Sequence, residues 1–408
     1  MRVGMRAALR VREFRALWLA EAQSAAGDQL ATVAVTMTVW DRTGSAWWSS
    51  LAFAGAVFVP ALAGLLLAPL ADRWPRRGLL AGCCLLQALL VAAMVLPGLP
   101  LVAMVVLVGL AQSLQGASNA ASGALTRVVL VDDRLYDQAQ AVRAMTVNAL
   151  MLAGLAVAGL LVLTVGTRAA LLLDAVTYLV AALIVWAGVR ARPAAGAGER
   201  RRWSGALRLV FAERRLRLLL GLSCLVGTVV VPEGIAAALV AEAGAGPAAI
   251  GWLLAADPAG YVLGSFVLSR WVPAPVRRRW LGALAVASPA VLVVFALRPP
   301  LAVCIGVLVL SGALGAYQIT AAALYGGWVP DRVRGGAIGV ARTALRLAQG
   351  LGVIAGGALA EAAGSAHLAV VVAGLVGVGL GIGPLLGWRA LGRTATDGPG
   401  SAVVPAVG

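Results

Sequence analysis

The chain contains no lysine: all 33 of its basic residues are arginine. Only 12% of its residues carry charge, against about 25% in soluble domains. Together with 61% apolar residues and a mean hydropathy of +0.92, this excludes a soluble enzyme. A single histidine, His367, excludes histidine-based metal sites and catalytic triads. Cysteine is scarce as well. Cys83, Cys84, Cys224 and Cys304 lie inside apolar runs without C-x-x-C or metal-ligand spacing, and they read as small core residues. No metal and no cofactor is implied. A membrane enzyme or sensor would need a catalytic cluster or an extramembrane domain, and the sequence offers neither.

Long apolar runs fill the chain instead. Broken by charges, prolines and tryptophans, they predict an all-α integral membrane protein of twelve transmembrane helices, each near the roughly 20 residues that cross a bilayer. Spans 1 to 6 are read as Ala16 to Trp40, Trp47 to Leu70, Gly78 to Leu96, Leu101 to Ser122, Val142 to Thr164 and Ala169 to Val189. Spans 7 to 12 are read as Leu216 to Val240, Pro247 to Trp271, Trp280 to Leu297, Leu301 to Leu324, Ala337 to Glu361 and His367 to Leu386.

With the N-terminus inside, all but Arg42, Arg168 and Arg298 of the 33 arginines fall in the even-numbered turns, the termini and the adjoining helix ends. Positive-inside bias then predicts a multi-pass protein of the cell membrane with both termini cytoplasmic. The pI of about 11.4 reflects this bias and not a nucleic-acid partner. Trp18, Trp40, Trp47, Trp48, Trp252, Trp271, Trp280 and Trp388 fall near span ends, as interfacial aromatic belts require. The arginine-rich start, with Arg2, Arg6, Arg10, Arg12 and Arg15 ahead of a span that has charges of its own, does not read as a cleavable signal and is expected to be retained.

The longest connection, residues 190–215, is a Pro/Ala/Gly linker followed by a basic amphipathic stretch, Trp203 to Leu216, expected to lie on the cytoplasmic lipid surface. It divides the chain into an N-terminal half, 1–189, and a C-terminal half, 216–390, with a disordered cytoplasmic tail at 391–408. At an offset of 199 residues, Gly116, Ala117, Asn119 and Leu125 meet Gly315, Ala316, Gln318 and Leu324, while Asp132 and Arg143 meet Asp331 and Arg342. The matches predict two pseudo-symmetric six-helix halves around a central pathway. A monomer is the expected working unit.

After span 2 comes APLADRWPRR, Ala68 to Arg77, which resembles the loop 2-3 signature of the major facilitator superfamily, G-x-L-A-D-R-x-G-R-R. Asp72, Arg73, Arg76 and Arg77 match; Ala68 and Pro75 stand where the family generally has glycine. The resemblance implies the major facilitator fold and a cytoplasmic latch between spans 2 and 11. Arg143 and Arg342, in the cytoplasmic turns of spans 5 and 11, are read as further gating candidates. VVPEGIAAAL, AADPAGYVLGS, GALGAYQITAA and PDRVRGGAIGVARTALRLAQGLG are similar to stretches of actinobacterial members near the enterobactin-exporter and macrolide-efflux branch. That branch implies outward movement of drugs, siderophores or secondary metabolites. The antiporter motif of span 5 is poorly kept, with Leu155 where proline is expected between Gly154 and Gly159.

Intramembrane acids supply a physical argument of their own. A carboxylate at the bilayer centre costs roughly 2.5 to 3.5 kcal/mol on insertion scales, so its presence marks a functional pathway. Asp28 lies at the middle of span 1, and Glu21, Ser24, Asp28 and Thr32 share one helical face. Glu233 beside Pro232 in span 7 is its approximate repeat counterpart, and Asp257 beside Pro258 lies near the centre of span 8. These four acids, Asp28, Glu233, Asp257 and Glu21, are the proton-coupling candidates. Asp174, in the outer third of span 6, reads equally as structural. Gln112, Gln115 and Asn119 in span 4, with Tyr317 and Gln318 in span 10, either hydrogen-bond between helices or face a solvated cavity together with Ser24 and Thr32. The expected function is proton-coupled efflux of a small molecule by alternating access. Uptake of a small nutrient is the alternative that the fold alone permits.

Overall fold

The computed structural model describes residues 8–56, 59, 75–130, 132–192 and 203–394. Asp72, Arg73, most of the linker and the end of the tail lie outside the described residues. Every described element is helical. Among the described residues ten helices are long and apolar enough to cross a membrane. Span 1 (Arg12–Thr43) is long enough but more polar, and span 2 begins at residue 46 and leaves the described residues after 56.

Chain chemistry sets many of the boundaries. Spans 3, 4, 9, 11 and the first helix of span 10 each begin directly after a proline: Pro75, Pro100, Pro273, Pro330 and Pro300. Proline favours extended backbone and lacks the N–H that a helix start leaves unpaired. Spans 1 and 11 stop where Gly44 and Gly364 take left-handed φ of 57° and 61°, a conformation that costs glycine little.

Most spans run longer than the apolar runs imply, because the helix continues into polar residues. Span 4 is Leu101–Val129, span 5 Asp133–Val165, span 6 Thr167–Gly188, span 11 Asp331–Ala363 and span 12 Ala366–Thr394, whereas span 8, Ala249–Trp271, starts two residues later than expected. Span 3 is Arg76–Ala93. Span 9 starts early, at Ala274, and changes after Pro289 from α-helix to a 3-10 stretch, Val291–Leu297. The largest departure is span 7. It is a helix interrupted at Leu225, Val230 and Ile235, which separate the segments Arg214–Cys224, Val226–Val229, Val231–Gly234 and Ala236–Glu242. Pro232 cannot donate to the preceding turn, and Gly227 lies so close to span 11 that a Cβ there would collide with the Ala348 carbonyl. Span 10 likewise divides at Ala316 into Leu301–Gly315 and Tyr317–Trp328.

Small residues set the closest helix contacts. A Cβ at Gly260 or Gly264 would strike the backbone of Val309 or Ala313, and one at Gly352 or Gly356 would strike Gly227 or Val231. These pairs pack spans 8 on 10 and 11 on 7, the use expected of small-x-x-x-small spacing.

The apolar clusters differ between the two ends of the bundle. Away from the termini, Val33 to Val39, Ile235 to Val240, Ile250 to Ala256 and Ala366 to Val371 contribute to one cluster drawn from both the first and the last six spans. Toward the termini, one cluster draws on Ala16 to Val189 and another on Val210 to Trp388, with no shared member. The structure is closed at the end remote from the termini.

A polar cap from span 11 to span 2 reinforces that closure. Glu361, at the end of span 11, accepts from Ser45 Oγ at 2.9 Å and from the Trp47 N–H at 3.3 Å, capping the start of span 2. Beneath it, Gly357 meets Ser50 with no room for a side chain. Glu242, at the end of span 7, accepts from His367 Nδ1 at 2.6 Å and from the Ala366 and His367 N–H groups at the start of span 12. Partial burial pushes the Glu242 carboxyl up, but these donors outweigh it and hold it below its ordinary value of 4.5. Stability from this contact is complete above the unfolded value and is lost as pH falls through the lower folded one. The melting temperature of Glu242→Gln should therefore fall less than that of the native chain on going from neutral pH to well below 4.5; equal acid sensitivity would contradict the assignment.

Candidate functional site

The site is built on span 1. Its mid-span residue Asp28 accepts a 2.6 Å hydrogen bond on Oδ1 from the Tyr178 hydroxyl of span 6. Tyr178 in turn accepts from Gln87 Nε2 of span 3 at 3.3 Å, and the same amide donates to Gln115 Oε1 of span 4 at 2.9 Å. Four helices thus converge on one carboxyl through a polar chain in an otherwise apolar interior. Gln87 Oε1 is buried with no partner among the described residues, an acceptor left over for water.

Asp28 faces a cavity of about 50 Å³, shared with Thr32, Gln112, Asp174 and Tyr178 and walled by apolar residues such as Phe53, Val91 and Met94. One water needs roughly 10 to 15 Å³, so the space suits a few waters and not a drug-sized molecule. Asp174 is almost fully buried, with Thr177 Oγ1 donating to its carbonyl at 2.7 Å. Two carboxyl groups therefore face one small hydratable space. The approach of spans 1 and 6 depends on Gly27, where a Cβ would collide with Asp174 Oδ1 and Thr177 Oγ1. Gly27→Ala should lower stability by about 1 to 3 kcal/mol, as overpacking does, and detergent-solubilised protein should melt earlier. An unchanged melting temperature would contradict this packing.

Glu21, two turns from Asp28 on span 1, is held elsewhere. Its carboxylate takes two bonds from Arg143 of span 5, with Nη2 to Oε1 at 2.8 Å, and Arg143 also donates to Ser122 and Gln140. The partners of Arg143 lie in spans 1, 4 and 5, not across the bundle. Its repeat counterpart Arg342 is exposed, and residue 220, at the repeat position of Glu21, is leucine. Arg77 stacks its guanidinium 4.3 Å from the Trp186 ring of span 6, while Arg76 has a buried Nε with no partner among the described residues.

The remaining sequence candidates are scattered. Ser24 is buried, with Oγ donating to the Glu21 carbonyl at 3.2 Å, and Thr32 donates to the Asp28 carbonyl at 2.7 Å. Asn119 is exposed. Tyr317 and Gln318 tie span 10 to span 7, with bonds of 2.6 Å to the Leu222 carbonyl and 3.5 Å to the Ser223 carbonyl. In the last six spans Glu233 feels Asp257 and Arg346 as its charged neighbours, and Asp257 Oδ1 is buried with no partner among the described residues. Sequence reasoning missed Tyr178 and Gln87. Gln87 stands alone in an apolar run and Tyr178 follows Thr177 in span 6, and only the packing of spans 3 and 6 on span 1 brings them to Asp28.

Membrane-length helices surround a small hydratable space faced by the Asp28 and Asp174 carboxyl groups, an arrangement that fits a membrane transporter. The sequence profile of the Major Facilitator Superfamily matches residues 17–233 and again 231–406, and the chain belongs to that superfamily. No curated protein matches it in sequence. Among solved structures it is similar to a bacterial homologue of the human lysosomal transporter Spinster in an inward-facing, unoccupied conformation, at 15% identity over 96% of this chain and 98% of the other, with a TM-score of 0.71. The nucleoside transporter NupG gives a TM-score of 0.66 at 16% identity over 93% of this chain and 99% of its own. At such identities the likeness shows the fold.

Proposed function

We propose that the protein is a proton-coupled exporter of amphipathic or cationic small molecules, in the class of drugs, siderophores and secondary metabolites, working by alternating access. The observation that carries this reading is the Asp28 carboxyl, bonded to Tyr178 at mid-span and open to a space large enough only for water. A carboxyl group that is alternately dry and hydrated gains and loses a proton as the protein changes shape, and so links proton flow to that change. Asp174 shares the space, and Glu233 and Asp257 form a second acidic pair in the last six spans.

The division into halves 1–189 and 216–390 belongs to this reading, with both termini in the cytoplasm. The structure, closed at the end remote from the termini, then corresponds to an inward-open state. Asp72, Arg73, Arg76 and Arg77 act in the opposite closure, and Glu361 holds the present one. Glu21 is bound by Arg143 in this state and serves it as a structural partner. Inverted membrane vesicles with an imposed pH gradient, offered a panel of amphipathic cations and metabolites, test the reading: gradient-driven accumulation of an amphipathic cation supports export, whereas depletion of a nutrient from the lumen indicates uptake.

A further inference from the structure

A much larger cavity lies far from the carboxyl groups, at the end of the bundle that carries the termini. It is a groove of about 1290 Å³ between the starts of spans 7 and 9, the second helix of span 10 and the end of span 12. Five arginines form its polar wall: Arg215, Arg277, Arg278, Arg279 and Arg389. Trp280, Trp328 and Trp388 contribute to its apolar wall.

The local sequence explains the arrangement. Span 9 starts at Ala274 after Pro273, so the consecutive Arg277, Arg278 and Arg279 project about 100° apart around its first turns. Arg277 is partly buried, its Nε without a partner among the described residues, while Arg278 and Arg279 are exposed. Arg278 and Arg215 lie 5.7 Å and 5.9 Å from the Trp328 ring centre. Trp328 stands 6.1 Å from Trp388, whose indole N–H donates to the Arg278 carbonyl at 3.0 Å. The tryptophans therefore fix where these cations sit.

Among the described residues none of the five arginines is in an ion pair. Five like charges around one groove repel one another, and an anion held there relieves the repulsion. The groove also lies at the membrane boundary, where Trp280 and Trp271 are 52% and 65% exposed. A free phosphate would satisfy the guanidinium groups and leave the tryptophan wall in contact with water. The geometry points to an anionic phospholipid of the adjoining leaflet as the occupant, its phosphate among Arg215, Arg277 and Arg278 and an acyl chain along Trp280 and Ile319. Guanidinium groups match phosphate oxygens in pairs, and basic pockets between transmembrane helices suit such head groups. This occupancy rests on the membrane placement of the chain, not on the transport reading.

The test is native mass spectrometry of the full chain in neutral detergent, titrated with phosphatidylglycerol or phosphatidylcholine. Phosphatidylglycerol should bind at least tenfold more tightly than phosphatidylcholine, and millimolar inorganic phosphate should not displace it. Arg277→Gln combined with Arg278→Gln should weaken phosphatidylglycerol binding at least tenfold. Arg208→Gln combined with Arg214→Gln, which removes the same charge from the neighbouring surface, should leave it unchanged. If the groove pair fails to fold, Arg278→Gln alone, at an exposed position, must still weaken binding at least threefold. Undiminished binding in the groove variants, an equal loss in the control pair, or displacement by inorganic phosphate would overturn the assignment.

Discussion

Asp28→Asn is expected to abolish pH-gradient-driven accumulation in inverted vesicles while the protein still folds and inserts. Asparagine keeps the size of the side chain and can still accept from Tyr178, so the polar chain through Gln87 and Gln115 survives. What it cannot do is ionise. A neutral amide is no costlier to bury than a carboxylate, so the variant should melt no earlier than the native chain. Substrate binding, where retained, should lose its pH dependence. Glu233→Gln should give a partial form of the same defect, because Asp257 remains beside it. Gradient-driven accumulation at the native rate in Asp28→Asn would remove Asp28 from the coupling path.

The second large effect concerns the Glu21–Arg143 pair. The side chains are only 23% and 11% exposed, and they join spans 1 and 5. Glu21→Leu leaves the Arg143 guanidinium with hydroxyl and amide partners but no counter-charge, a loss of roughly 3 kcal/mol, toward the lower end for a broken buried pair. Arg143→Leu should cost a similar amount, and the double variant should be more stable than the two losses added together. Thermal melting of the four proteins gives the coupling directly. Proton release should persist in a folded Glu21→Leu; a variant of native stability that released no protons would instead make Glu21 the coupling acid.

Composition and the long apolar runs made the all-helical membrane architecture legible in the sequence, and the APLADRWPRR signature pointed to the superfamily. Helix starts were legible at Pro100 and Pro300, where the apolar run begins directly after the proline, but not at Pro273 and Pro330, where polar residues separate the helix start from the apolar run. They were not legible where polar residues continue a helix, as at Asp133 to Val142, because hydropathy marks the bilayer and not the helix. The breaks in span 7 were hidden in an uninterrupted apolar run, since they arise from packing against span 11 as much as from Pro232. The site was legible as far as Asp28, whose cost at mid-depth singles it out within span 1. Its partners were not, because helical spacing orders residues along one helix but does not say which face of spans 3 and 6 turns toward span 1. For the same reason Ser24, Asn119, Tyr317 and Gln318 shared a plausible pattern but do not share one cavity with Asp28.

The most direct test of the central claim is substrate-evoked proton release from purified protein in weakly buffered detergent solution, comparing the native chain with Asp28→Asn. An amphipathic cation transported in vesicles should release protons on mixing with the native protein, more at mildly acidic than at alkaline pH, and the release should vanish in the variant. Undiminished release from Asp28→Asn would contradict the account and shift the proton to Glu233 and Asp257.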